Sequence, residues 1–104
     1  MKFYNDLYIG EGIKNEKKIK RRLSLYIGQL SVYVLALCKG KDQLEIYHCA
    51  ILKQPYYRKH QPYVVGLASS YQEALDLTVK IMDDAMLYTG KPDIKEFIGV
   101  KEKE

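Results

Sequence analysis

The chain has 104 residues, room for one domain built on one modest core. Hydrophobic residues make up 47% and charged residues 29%, a mixture too apolar for a disordered chain, and the net charge of +4 is mild. No apolar run approaches the roughly 20 residues a membrane-spanning helix needs, and MKFYNDLYIGEGIKNEKKIK lacks an apolar signal core, so a cytoplasmic protein off the membrane is expected.

Residues 1–13 are weakly patterned, and the core is expected to begin at about residue 17. The stretch KNEKKIKRR, 14–22, sets six cations against Glu16 alone. Lys17, Lys18, Lys20, Arg21 and Arg22 are therefore candidate contacts for a polyanion, and a solvated edge that discourages aggregation is the plainer reading. Leu23, Leu25 and Ile27 alternate with Arg22, Ser24 and Tyr26 as a half-exposed strand would. Gly28-Gln29 suits a type II′ hairpin turn into the next element.

LSVYVLALC, 30–38, is apolar on both sides, with Val32, Val34 and Ala36 facing one way and Tyr33, Leu35 and Leu37 the other. Such a strand belongs inside a sheet covered on both faces. In DQLEIYHCAILKQ, 42–54, Leu44, Tyr47, His48, Ile51 and Leu52 keep helical spacing, Asp42 can cap the start and Pro55 can stop the end. The competing strand over the same residues leaves both faces mixed, which favours the helix.

QPYYRKHQP, 54–62, encloses two tyrosines and three basic residues between prolines. The prolines pin the segment as a connection, with Tyr56 or Tyr57 closing the core. Tyr56, Tyr57, Arg58, Lys59 and His60 form a candidate partner contact, because tyrosine and arginine are favoured at interface hot spots. YVVGLA, 63–68, reads as a second buried strand. Ser70 and Glu73 then form a capping box, and Gly90 with Pro92 ends the helix it opens. On that helix Tyr71, Ala74, Leu75, Thr78, Ile81, Met82, Ala85 and Met86 form the apolar face. Glu73, Asp76, Asp83 and Asp84 make the segment acidic against Lys80. Residues 91–104 are again weakly patterned, with Phe97 and Ile98 able to fold back.

The elements predict a small α/β domain of two or three layers, ordered β-β-α-β-α. Its three-stranded mixed sheet has a basic antiparallel edge strand, and strands 30–38 and 63–68 are parallel through a right-handed crossover. An α+β arrangement, α-β-β-β-α, follows if 15–27 is helical and 42–52 a strand. That order resembles the topology of double-stranded-RNA-binding domains. Where those domains carry a lysine cluster at the start of the last helix, this chain has Ser69, Ser70, Tyr71, Gln72 and Glu73.

Motifs for nucleotide binding, metalloprotease or serine-hydrolase chemistry are absent. Cys38 and Cys49 lack metal or redox spacing and are expected as reduced core residues, with no metal and no cofactor. His48 and Cys49 are neighbours in sequence and so diverge on either a helix or a strand. Parallel strands would bring Lys39 and Lys41 near Ser69 and Ser70, a candidate anion site at a helix N-terminus. The ten tyrosines can cover a thin sheet or mark an interface. The expected function is a non-catalytic binding or accessory protein that self-associates as a homodimer. The alternatives are a nucleic-acid-binding accessory and a small-anion binder.

Overall fold

In a computed structural model the chain is described over residues 2–25, 31–37 and 44–102, with the Arg58 side chain left out. Nine elements follow one another: β1 (Lys2–Ile9), α1 (Glu16–Leu25), β2 (Tyr33–Leu37), β3 (Leu44–His48), a 3-10 turn (Cys49–Lys53), α2 (Pro55–Lys59), β4 (Tyr63–Ala68), α3 (Tyr71–Thr89) and α4 (Ile94–Glu102). The class is the expected one, a small α/β domain on a mixed sheet, with four strands in the order β1-β4-β2-β3 rather than three.

The two strands apolar on both sides, β2 and β4, lie in the middle of the sheet. Val32 and Val34 enter one core and Leu35 the other, with Tyr33 and Leu37 packed at its rim, as the alternation requires. Their orientation differs from expectation. β2 and β4 are antiparallel, Tyr33 facing Ala68 and Leu37 facing Tyr63, and the parallel pair of the sheet is β1 with β4. The register between β2 and β4 shifts by one residue after Leu35, which sends Val64 and Leu67 to one face and Val65 and Ala68 to the other.

The expected helix over 42–54 is instead β3 followed by the 3-10 turn, and Asp42 lies outside the described residues. Among the described residues β3 is an edge strand, paired to β2 alone. An edge is half-exposed on both faces, so the mixed alternation of Leu44, Glu45, Ile46 and Tyr47 is what such a position needs. Pro55 does not stop a helix. It occupies the first turn of α2, where its missing N–H costs nothing.

The expected basic edge strand is also absent, since the cations stand on the helix α1. Asn15, in the left-handed region at φ 60°, opens it, and its side chain accepts from the Lys18 amide. Ile19 and Leu23, four apart, are the buried pair, whereas Leu25 is exposed. The turn expected at Gly28-Gln29 lies outside the described residues. The alternative order α-β-β-β-α has 16–25 as a helix and 44–48 as a strand, as observed, but α2 stands between β3 and β4, so residues 16–89 run α-β-β-α-β-α. Likeness to double-stranded-RNA-binding domains goes no further. The central three strands pair as β4-β2-β3, a further parallel strand joins β4, and no lysine cluster opens α3.

Two cores result, one on each face of the sheet. α3 and α4 cover the first with Ala74, Leu77, Ile81, Ala85, Ile94, Phe97 and Ile98 over Tyr4, Leu35 and Val65. α1 and the 3-10 turn cover the second with Ile19, Leu23, Cys49 and Leu52 over Val34, Val64 and Leu67. The weakly patterned ends are thus part of the packing, through Tyr4 at one end and Ile94, Phe97 and Ile98 at the other.

Candidate functional site

At one edge of the sheet β1 leaves regular pairing. From Phe3 to Tyr8 it takes five steps while β4 takes two, from Val64 to Gly66. The irregular stretch faces the last turns of α3 and the end of α4, and a cleft of about 440 Å³ lies between them. β1 contributes Tyr4, Asp6 and Tyr8, α3 contributes Asp84, Leu87 and Tyr88, and α4 contributes Phe97 and Lys101.

The polar groups of this cleft are ordered. The Tyr8 hydroxyl donates to Oδ2 of Asp84 at 2.5 Å, joining β1 to α3. Burial, with that hydrogen bond and the Asp84 charge, holds the Tyr8 phenol well above the usual tyrosine range, so it stays protonated as a donor. Tyr88 and Phe97 meet edge to face at 5.8 Å. Nζ of Lys101 lies 5.1 Å from the centre of the Tyr88 ring. Close by, burial and a hydrogen bond with Glu102 push Tyr63 up to about 12, tying the start of β4 to α4. Aromatic faces, two carboxylates and one ammonium can hold a ligand by charge and stacking. Among the described residues no group of three or more His, Cys, Asp or Glu side chains converges as metal ligands would.

A second surface lies on the opposite side of α3. Of the apolar face expected for this helix, Ala74, Ile81 and Ala85 are buried together with Leu77. Tyr71, Leu75, Val79, Met82 and Met86 are between 37% and 58% exposed. At 100° per residue these five fall on one stripe, well round the helix from Asp84 and Tyr88. Since Asp84 and Tyr88 face β1 and α4, the stripe faces the other edge of the sheet. There Leu44 and Ile46 of β3 are only partly buried against the same core, and Tyr71 meets Tyr33 edge to face at 5.9 Å.

The residues singled out from the sequence separate. Lys17, Lys18 and Arg21 are exposed on α1, while Lys20 pairs with Glu16 at 3.9 Å and lies 5.4 Å from the Phe3 ring. Tyr57 packs at the rim of the α1-side core and meets Tyr47 at 5.5 Å, so one tyrosine does close a core. Tyr56 points outward, 61% exposed, with the His60 ring 4.6 Å away, and Lys59 is exposed. The basic run and the tyrosine segment therefore share one face of the sheet. The expected anion site lacks the parallel alignment it requires, because Leu37 stands beside Tyr63, at the end of β4 away from Ser69. Lys39 and Lys41 lie outside the described residues. At Ser69 and Ser70 an anion is already in place: the Glu73 carboxylate accepts from the Ser69 amide (2.7 Å), the Ser69 hydroxyl (3.0 Å) and the Gly12 amide (3.0 Å).

Sequence reasoning missed the tyrosine cleft, for its residues come from three separated segments. Tyr4, Asp6 and Tyr8 at two-residue spacing were its one local sign. Comparison with protein-family models, with curated proteins and with solved structures finds no match for this chain.

Proposed function

We propose that this protein acts by binding and that its partner is a second copy of itself, joined through the outer stripe of α3 and the edge strand β3. The observation that carries this reading is the row Tyr71, Leu75, Val79, Met82 and Met86, apolar and exposed along a 19-residue helix. The helix presents an apolar arc wider than its own sheet covers. Burying the remainder is the favourable step left to it.

Three features favour a like copy. A twofold interface sets each surface against itself, which penalises charge, and this stripe has none. Among the described residues β3 is an edge strand of the sheet, the place where a twofold copy can extend it. A helix of this length is about 28 Å long, and with the edge strand it supplies several hundred Å² per copy, the size of a modest homodimer. No residue is assigned a catalytic role, and a cytoplasmic setting belongs to the same reading.

Sedimentation velocity from about 1 to 500 μM is expected to show a monomer–dimer equilibrium in the micromolar range. Val79→Glu should abolish the dimer with an unchanged circular-dichroism spectrum, since Val79 is 58% exposed. A parent that stays monomeric throughout, or a Val79→Glu variant that dimerises as the parent does, overturns the reading. Polyanion binding stands second, supported by the exposed cations of α1 and Lys59 of α2 on one face of the sheet.

A further inference from the structure

We propose that the cleft between β1, α3 and α4 is a binding site for an organic ammonium group, and that Lys101 is its tethered occupant. The site is independent of the dimer surface, which lies on the other side of α3.

Four observations converge. The cleft volume of about 440 Å³ lies in the range of small-ligand sites. Its walls are rings, chiefly Tyr4, Tyr8, Tyr88 and Phe97, and ring faces carry the negative side of the aromatic quadrupole. Two carboxylates, Asp6 and Asp84, line it against the single ammonium of Lys101, an imbalance that favours a further cation over an anion. Finally, the chain itself places an ammonium over a cleft ring, 5.1 Å from the Tyr88 centre, which is the contact an alkylammonium ligand would make.

The arrangement is built to persist. Tyr8 holds Asp84 through Oδ2, and its raised pKa keeps the donated proton in place across the physiological range. Tyr88 is fixed edge to face on buried Phe97. Lys101 lies in the last turn of α4, where its long stem can swing the ammonium outward as a ligand enters. The ligand is thus an amine bearing alkyl groups, free in solution or carried on a lysine side chain.

The test is a titration followed by the NMR signals of the tyrosine and Phe97 rings. Choline and its uncharged carbon isostere, 3,3-dimethylbutanol, are compared on the parent and on Lys101→Met. Choline is expected to shift the rings of the parent at millimolar concentration and to bind Lys101→Met at least about threefold more tightly, because the competing ammonium is gone. The isostere should shift neither protein. Asp6→Asn, an exposed position, should weaken choline binding and serves if Asp84→Asn fails to fold. N-acetyl-lysine methylamide binding as well as choline would assign the source to lysine side chains, and its failure where choline binds would assign it to free amines. Equal binding of choline and the isostere, or choline binding unchanged or absent in Lys101→Met, overturns the proposal.

Discussion

The carboxylate of Glu73 accepts from three donors on two segments, the amide and hydroxyl of Ser69 and the amide of Gly12, while its own amide donates to Ser70 Oγ at 3.1 Å. Ser70 is thus the N-cap expected from the sequence, but the reciprocal bond of the capping box goes to Ser69, and the box also holds the loop after β1. Ser70→Ala should cost about 1 kcal/mol in a denaturant melt, and a melt that overlays the parent would remove Ser70 from that role. The Ser69 amide, helped by Gly12, lowers the Glu73 pKa below its ordinary 4.5. A carboxylate lowered in the folded state contributes its stability fully above the ordinary value and loses it as pH falls through the folded one. Glu73→Gln should therefore flatten the fall in stability below about pH 4.5, and equal slopes for variant and parent would show that Glu73 is not the group being protonated. Gly10 completes the unit, since a Cβ there would overlap this same carboxylate. Gly10→Ala should destabilise the parent clearly and a Glu73→Ala background much less, a coupling that a double-mutant cycle reads directly.

Elements whose signals are local were legible, and elements defined by their neighbours were not. α3 shows its cap at Ser70, its period, and its stop at Gly90, which has φ 78° and donates its N–H to Met86. Nothing stands within 4 Å of a Cβ at Gly90, so Gly90→Ala should cost about 1 kcal/mol through backbone conformation alone, with Gly90→Asn milder. Chemical denaturation of the two variants checks this; equal stability of Gly90→Ala and the parent would refute it. β2 and β4 were legible because central strands are apolar on both faces. The edges β1 and β3 were not, because one-sided pairing mixes their alternation, and in β1 polar groups face a cleft. α1 buries two side chains, Ile19 and Leu23, and the latter also begins the alternation Leu23-Leu25 that imitates a strand. Strand direction failed for a related reason. The parallel reading joined β2 to β4 by one helical crossover. Instead β3 first reverses the chain, and the connection through the 3-10 turn and α2 then brings β4 in along the direction of β3, antiparallel to β2. The candidate cleft joins residues 4–8, 84–88 and 97–101, a meeting that no local pattern encodes.

Over the whole molecule the sheet separates charge into layers. The cations of α1 and Lys59 lie on one side, and Glu73, Asp76, Asp83 and Asp84 of α3 lie on the other, against Lys80 on the same helix and Lys101 of α4. Such a molecule has two ways to meet its own kind. Basic layer on acidic layer is a heterologous contact, which does not close by symmetry and so grows into chains. It is also a contact between exposed charges, for which the screening length falls from about 10 Å at 0.1 M salt to about 3 Å at 1 M. The α3 stripe has no charge, and a dimer formed through it would close at two copies and gain from exclusion of apolar surface that salt does not weaken. Sedimentation at 0.1 M and 1 M sodium chloride is therefore expected to give the same dimer mass, with a dissociation constant that tightens or stays within about threefold. Replacing Lys17, Lys18, Arg21 and Arg22 by glutamine should leave that constant unchanged, because these side chains stand on the opposite face. The same variant separates polyanion binding from self-association. If a nucleic acid binds the α1 layer, its affinity should drop and its salt slope should flatten by about one for each phosphate no longer neutralised. Larger assemblies at 0.1 M that dissolve at 1 M, and that vanish in the glutamine variant, would show the charged layers, rather than α3, to be the surface on which copies meet.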